Sequence, residues 1–526
     1  MKKRYYYLLF FCMMLASVTA VAEFYVLSTK SPPIENYVDI NRSPVISPDY
    51  TQTVIPPNIA PLNFMVNEKA SRYFVRIYSE KSPSIDLFSS TGKIVIPIRS
   101  WKKLLNTNPG KKLYFDIYIL DQKNQWQKFL PITNTIAMEN IDPFIAYRKI
   151  YPVHGSWRQM GIYQRDLQAY NEKRIFDNRF HEGVCINCHT FLNNKTQKMF
   201  IGTRSAKYKS NALLAQNSDL SKIDAKFGYT SWHPSGKLAA YSVNKVHQFF
   251  HTAQSEVRGV IDMDSYLAYY ILDSQKVKTS PMIAKKDRLE AYPCWSPDGK
   301  HLYFSSAPML WTDRDRIPPE SYDQVKYDLM RISYDIEKDR WGTLETVLSA
   351  EDTGKSALQP RISPDGRWLI FTMCNYGSFP VYHETSDLYL LDLREAQRTG
   401  RFEYRRLNIN SEKSESWHSF SSNSRWLAFS SKRRNGVFTR IYFSYIDEDG
   451  RLHKPILMPQ KDPQFYDYTL KTYSVPELIA EPVRTTPEDF GRVVRAKANI
   501  PVDIPVTMAT PKAGKISPTE PWQERE

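Results

Sequence analysis

The chain has 526 residues with 34 Pro, 19 Gly and 5 Cys, and its 71 Lys and Arg against 56 Asp and Glu give a formal charge of +15. At about 150 residues per domain this length excludes a single small module, and 42% hydrophobic with 24% charged residues excludes a chain too polar to fold. Five cysteines are too few to staple a protein of this size, and the positive charge is spread along the chain, permitting an acidic partner without requiring one.

Residues 1–22 carry Lys2, Lys3 and Arg4, an apolar run from Tyr5 and the triplet Ala20-Val21-Ala22, the layout of a signal peptide. An uncleaved anchor over Tyr5–Leu27 is the alternative, and Phe11 before Cys12 argues against a lipidation site. Seven prolines between Ser31 and Pro61 fix φ and remove amide donors, so residues 23–62 read as an extended tether. Over 63–140, period-two runs predict strands: Tyr73, Val75 and Ile77; Ile94, Ile96 and Ile98; Leu113, Phe115, Ile117 and Ile119. Gly92 and Asn108-Pro109-Gly110 punctuate them, which suits a small antiparallel, immunoglobulin-like β-sandwich.

Residues 141–194 read as helical and irregular, and they hold Cys185-Ile186-Asn187-Cys188-His189, the C-x-x-C-H spacing of covalent c-type haem attachment. Two intervening residues let both sulfurs reach the two vinyl groups of one porphyrin, while the next residue offers an imidazole to the iron. Three other uses stay open behind it. A zinc site wants four ligands, a redox dithiol wants a βαβ context, and a disulfide across so tight a loop constrains the unfolded chain little. Covalent haem attachment takes place outside the cytoplasm, so the export segment and the motif support each other. The expectation is one haem c, bound through Cys185 and Cys188, with His189 as the proximal iron ligand. His251, which ends the aromatic stretch Val243–His251, is the candidate for the opposite face of the iron, with His247, His233 and Met263 as runners-up.

From residue 195 to 480 the chain repeats. Tyr229–Ser242, Tyr292–Ser305, Gln359–Thr372 and Ser416–Ser430 align, with spacings of 63, 67 and 58 residues from Pro234 to Pro297 to Pro364 to Ser422. In each, an apolar strand meets Pro-Asp-Gly or a relative of it, where Pro presets φ and Gly accepts the left-handed position, and an alternating strand follows. Further strands fit the gaps at Tyr266–Leu272, Asp328–Tyr334, Leu388–Leu393 and Ile441–Ile446, giving four strands per repeat, the construction of a propeller blade. Ser422-Asn423-Ser424 departs from the turn pattern, and a partial repeat lies at Lys198–Leu220.

The signature Trp-Ser-Pro-Asp-Gly-Lys-x-Leu-x-Phe-x-Ser resembles the TolB-like β-propeller repeat family over roughly 195–475. Together with Pro143–Arg148, Met160–Leu167 and the Cys185 motif, it is similar to exported, haem-motif-bearing TolB-like proteins of Bacteroidetes-type bacteria, sometimes labelled cytochrome c biogenesis proteins. The resemblance implies a propeller of five or six blades. The fold expected for the whole chain is all-β: the sandwich, the haem segment, the propeller and a C-terminal tail over 481–526, solvated from Asn499 on. Trp232, Trp295, Trp368 and Trp426 are expected between blades, and Cys294 and Cys374 as buried free thiols.

No Gly-x-Ser-x-Gly, phosphate loop, dinucleotide fingerprint or His-Glu-x-x-His occurs, so no catalytic residue is assigned. The expected function is electron transfer or redox sensing by an exported haem protein, in the periplasm or on the membrane surface facing it. Its propeller would dock an envelope or periplasmic protein, with no nucleic acid partner and membrane contact only through an N-terminal anchor. The alternatives are an envelope scaffold with a structural haem and a haem-dependent peroxidase.

Overall fold

The computed structural model describes residues 34–500 apart from 153–158, 181–183, 206, 218, 251–257, 314–315 and 499. The export segment 1–22 and His251 therefore lie outside the described residues. No helix among the described residues is long and apolar enough to cross a membrane. The chain is all-β, with short helices between many sheets.

Residues 34–141 build a seven-stranded and a three-stranded sheet over one core that includes Phe64, Val75, Ile94 and Phe115. Arg72–Tyr78 pairs antiparallel with Ile85–Ser89 and with Lys112–Leu120, as the alternation predicts. Two readings change. Residues 34–62 are not a free tether: Val38–Ile40 and Val54–Ile55 add parallel edge pairs, and Tyr50, Ile55, Ile59 and Leu62 are buried between the prolines. Prolines lack only the donor that an edge can spare, and the apolar residues among them carry the packing. The alternation through Ile98 also misleads. The strand ends at Ile94 and a helix runs from Ile98 to Asn106, burying Trp101, Leu104 and Leu105 at helical spacing.

Six four-stranded antiparallel sheets follow, beginning in turn with Thr472–Ile479, Cys185–Leu192, Thr230–Trp232, Arg288–Trp295, Ser356–Ile362 and Glu415–Phe420. Each of these first strands neighbours the first strand of the next sheet, and the sixth neighbours the first. Sheet 1 joins the chain's two ends: Thr472–Ile479 pairs with Phe144–Ile150, which continues to Gly161–Asp166 and Glu172–Asp177. The expectation of a helical, irregular segment over 141–194 is thus corrected, since among the described residues only Asn178–Phe180 is helical there. Its first strand is hard to read in sequence because its partner Thr472–Ile479 lies more than 300 residues away.

The turns of sheets 3 to 6 share one geometry. Gly236, Gly299 and Gly366 have φ of 67°, 72° and 75°, and each N–H donates to the carbonyl three residues back at 2.8–2.9 Å. Ser424 takes the same turn with φ 63°. Its hydroxyl accepts the Asp365 N–H of the neighbouring turn at 3.0 Å, a bond glycine could not make. The four Trp residues at these hairpins are buried, as expected. Cys294 and Cys374 are buried free thiols.

The C-terminal tail begins with a packed helix, while the stretch expected to be solvated, from Asn499 on, lies almost wholly outside the described residues. Thr486 and Asp489 form a capping box on a helix from Pro487 to Arg495, and Phe490 and Val494 pack beneath it with Phe176 and Leu213 of sheets 1 and 2.

Candidate functional site

Cys185, Cys188 and His189 lie on the first strand of sheet 2, Cys185–Leu192. In a regular strand, residues three apart face opposite sides. Here the register runs Cys185 to Arg204 and Ile186 to Thr203, then resumes at His189 to Ile201, so Asn187 and Cys188 together oppose Gly202. This bulge returns Cys188 to the face that Cys185 occupies. Gly202 makes room for it: a Cβ there would lie 3.7 Å from the Cys188 Cβ and 2.7 Å from the Phe227 carbonyl oxygen. The neighbouring first strands carry register shifts at equivalent places, with Tyr292, Gln359, Trp417 and Val475 in the left-handed region at φ 46–56°.

All three motif side chains border one cavity, with about 1510 Å³ of empty space continuous with solvent. Its walls include Phe227, Tyr229, Phe379, Tyr382 and Trp417. Arg148, Arg204, Lys226, Arg258 and Arg361 also line it, and among the described residues no carboxylate does. The cavity therefore combines flat apolar walls with a cationic field, and it favours a large, flat, anionic guest.

His189 is buried, and neither ring nitrogen makes a full hydrogen bond, the Val475 backbone offering it only a weak one. Burial depresses its imidazole to about 3, and Arg148 pushes the same way, so the ring is neutral at physiological pH, the form that ligates a metal. The Glu477 carboxylate lies 4.0 Å from Nε2, too far for a hydrogen bond. Glu477 accepts the Phe191 N–H at 2.8 Å, and burial raises it to about 7.

The thiols are the reverse of a redox dithiol. Burial raises Cys185 and pushes Cys188 up to about 12, with Arg148 and Arg204 only partly opposing it. Among the described residues no three His, Cys, Asp or Glu side chains converge to hold a metal ion. A buried neutral imidazole, two thiols on one face of a strand and a cationic, aromatic cavity do fit a covalently attached haem.

The runners-up for the opposite face lie elsewhere. His233 bonds the Gly299 carbonyl at 3.1 Å and Ser235 at 2.8 Å in its turn. Met263 is fully buried in another core cluster. Val246 and Gln248 border the cavity, which by strand alternation turns His247 away. The cationic lining was missed by sequence reasoning. Arg148 sits in a stretch singled out only for resemblance, and Arg204, Arg258 and Arg361 come from separate strands, Lys226 from a loop, with no shared spacing.

No known protein family and no curated protein matches the sequence. Several solved structures are similar in part. Prolyl oligopeptidase B from Galerina marginata shares 11% identity at a TM-score of 0.34, over 65% of this chain and 42% of that one. Oligogalacturonate lyase from Vibrio parahaemolyticus shares 13% at 0.31, over 65% and 88%. Hydrazine synthase from Kuenenia stuttgartiensis shares 10% at 0.39, over 66% and 48%. The chain thus spans less than half the length of the peptidase and of the synthase.

Proposed function

We propose that the protein is an exported c-type haem protein that transfers or senses electrons, with its haem joined to Cys185 and Cys188 and ligated by His189. The observation that carries this reading is the placement of a complete C-x-x-C-H motif on a bulge, bordering a cavity whose charged side chains, among the described residues, are all cationic. Arg148, Arg204, Lys226, Arg258 and Arg361 would hold the propionates, and the aromatic walls would keep water from the ring. When bound, the haem supplies a one-electron couple at its iron. Its covalent anchor and the depressed imidazole of His189 are this chain's own contributions.

The six sheets are read as the blades of a TolB-like propeller, closed by pairing Thr472–Ile479 with Phe144–Ile150. Residues 34–141 are read as a sandwich-like domain beside it. The cyclic order of the first strands supports that reading. The propeller offers a broad surface around the cavity on which an envelope or periplasmic protein would dock.

The test is reduction of the purified ferric protein by a small donor, then reoxidation by envelope fractions. A rate that depends on one saturable protein component is expected. Partner-independent cycling, with a pull-down unchanged when Cys185 and Cys188 are replaced, would favour a scaffold. Peroxide turnover far above that of free haem would favour an enzyme.

A further inference from the structure

A second cavity adjoins the first, with about 1010 Å³ of empty space by the same measure. Arg258 and Tyr382 belong to both walls. It holds no motif residue, and its chemistry differs from that of its neighbour.

Its buried acid is Asp262, 2% exposed on the strand Arg258–Ile271. Oδ2 accepts the Asn244 amide at 2.8 Å, while Oδ1 makes no full hydrogen bond and the buried Ser378 side chain, which faces this carboxylate, lowers it only weakly against burial. A ligand donor or cation at this oxygen would complete its bonding. Lys226 attracts the carboxylate from a distance but donates its own hydrogen bond to the Asn244 carbonyl.

The walls are aromatic. Phe249 and Tyr322 meet edge to face at 5.3 Å, and Tyr322 meets Tyr376 the same way at 6.0 Å, so neighbouring rings stand at near right angles. Trp311 is fixed by its Nε1–H donating to the Met263 carbonyl at 3.2 Å. Glu384 adds a second carboxylate. Arg258, the guanidinium of this cavity, donates to the Tyr382 hydroxyl at 3.0 Å and lies 5.4 Å from that ring, on the wall shared with the other cavity.

Perpendicular aromatic rings around a buried, half-satisfied carboxylate make a receptor for a compact organic cation, whose charge the ring faces and the carboxylate both attract. We propose that this cavity binds a small organic ammonium, with Asp262 as its counter-ion and Phe249, Tyr322 and Tyr376 as its cage. The proposal does not depend on haem.

Calorimetric titration of the full exported chain with choline and with butylammonium, each against its neutral counterpart (3,3-dimethylbutanol and butanol), tests it. Burial raises the Asp262 carboxyl to about 7, so the titration is run near pH 8, where most of it is ionised. At least one ammonium should bind about tenfold more tightly than its neutral counterpart. Asp262→Asn should abolish that preference, and Tyr376→Leu, at a half-buried wall position that leaves the carboxylate network intact, should weaken the ammonium several-fold. The proposal is overturned if neither ammonium binds, if the neutral molecules bind equally well, or if a folded Tyr376→Leu protein binds as the wild type does.

Discussion

The rings of Tyr229 and Trp417 lie 5.5 Å apart, although Tyr229 precedes the first strand of sheet 3 and Trp417 lies in the first strand of sheet 6, on opposite sides of the cyclic order. Tyr292 of sheet 4 completes the cluster, 4.1 Å from Tyr229 and 5.9 Å from Trp417. Aromatic side chains of sheets 3, 4 and 6 therefore meet in one cluster, and the motif cavity includes Tyr229 and Trp417 in its wall.

Trp417→Ala should consequently be costly at a distance from any sheet's own core. Losing a buried Trp without collapse of the site destabilises by about 3–5 kcal/mol. Urea unfolding should show a lower midpoint of that order with an unchanged slope. A loss within about 0.5 kcal/mol would mean that the rings do not pack together.

Gly202→Ala tests the bulge. Its new Cβ would meet the Phe227 carbonyl at 2.7 Å, and backbone cannot yield as a side-chain end can. The expected cost is about 1–3 kcal/mol, together with a reduced yield of haem-bearing protein because Cys188 opposes this residue. A variant with wild-type melting temperature and wild-type haem yield would contradict the geometry.

Glu290 is 1% exposed, and burial raises its carboxyl from 4.5 to about 8, with the Lys285 N–H bond opposing the shift. A folded value above the unfolded one means that protons favour the native state. Its contribution is complete below about pH 4.5 and is lost as pH rises through about 8. Relative to Glu290→Gln, the wild type should lose stability steadily across that window and run parallel outside it. Denaturant midpoints measured at several pH values check this, and a pH-independent difference would contradict it.

His251 is proposed as the sixth iron ligand because it directly follows the strand Leu238–Phe250, of which Val246 and Gln248 border the cavity. His251→Ala should turn a low-spin ferric spectrum into a high-spin one. A spectrum that stays low-spin and unchanged would remove His251 from the site.

What could be read in advance followed local chemistry. The hairpins of sheets 3 to 6 were legible because Pro, Asp and Gly at a left-handed turn leave a periodic mark, and Ser424 shows the same turn surviving without it. Sheet 2 lacks that mark, since its hairpin turns on Asn193 and Asn194, both with positive φ. Sheet 1 was illegible because Phe144–Ile150 takes its partner from Thr472–Ile479. In the site, the spacing of Cys185, Cys188 and His189 spoke for itself. The bulge opposite Gly202 and the cationic wall depend on pairing between strands, which no one-dimensional spacing records.

The most direct test is haem staining after denaturing electrophoresis, on protein co-expressed with a c-type maturation system. The account predicts that the wild-type band retains its stain through denaturation and that the doubly substituted Cys185→Ala, Cys188→Ala protein loses it while still folding. A colourless wild-type band under those conditions would contradict the central claim.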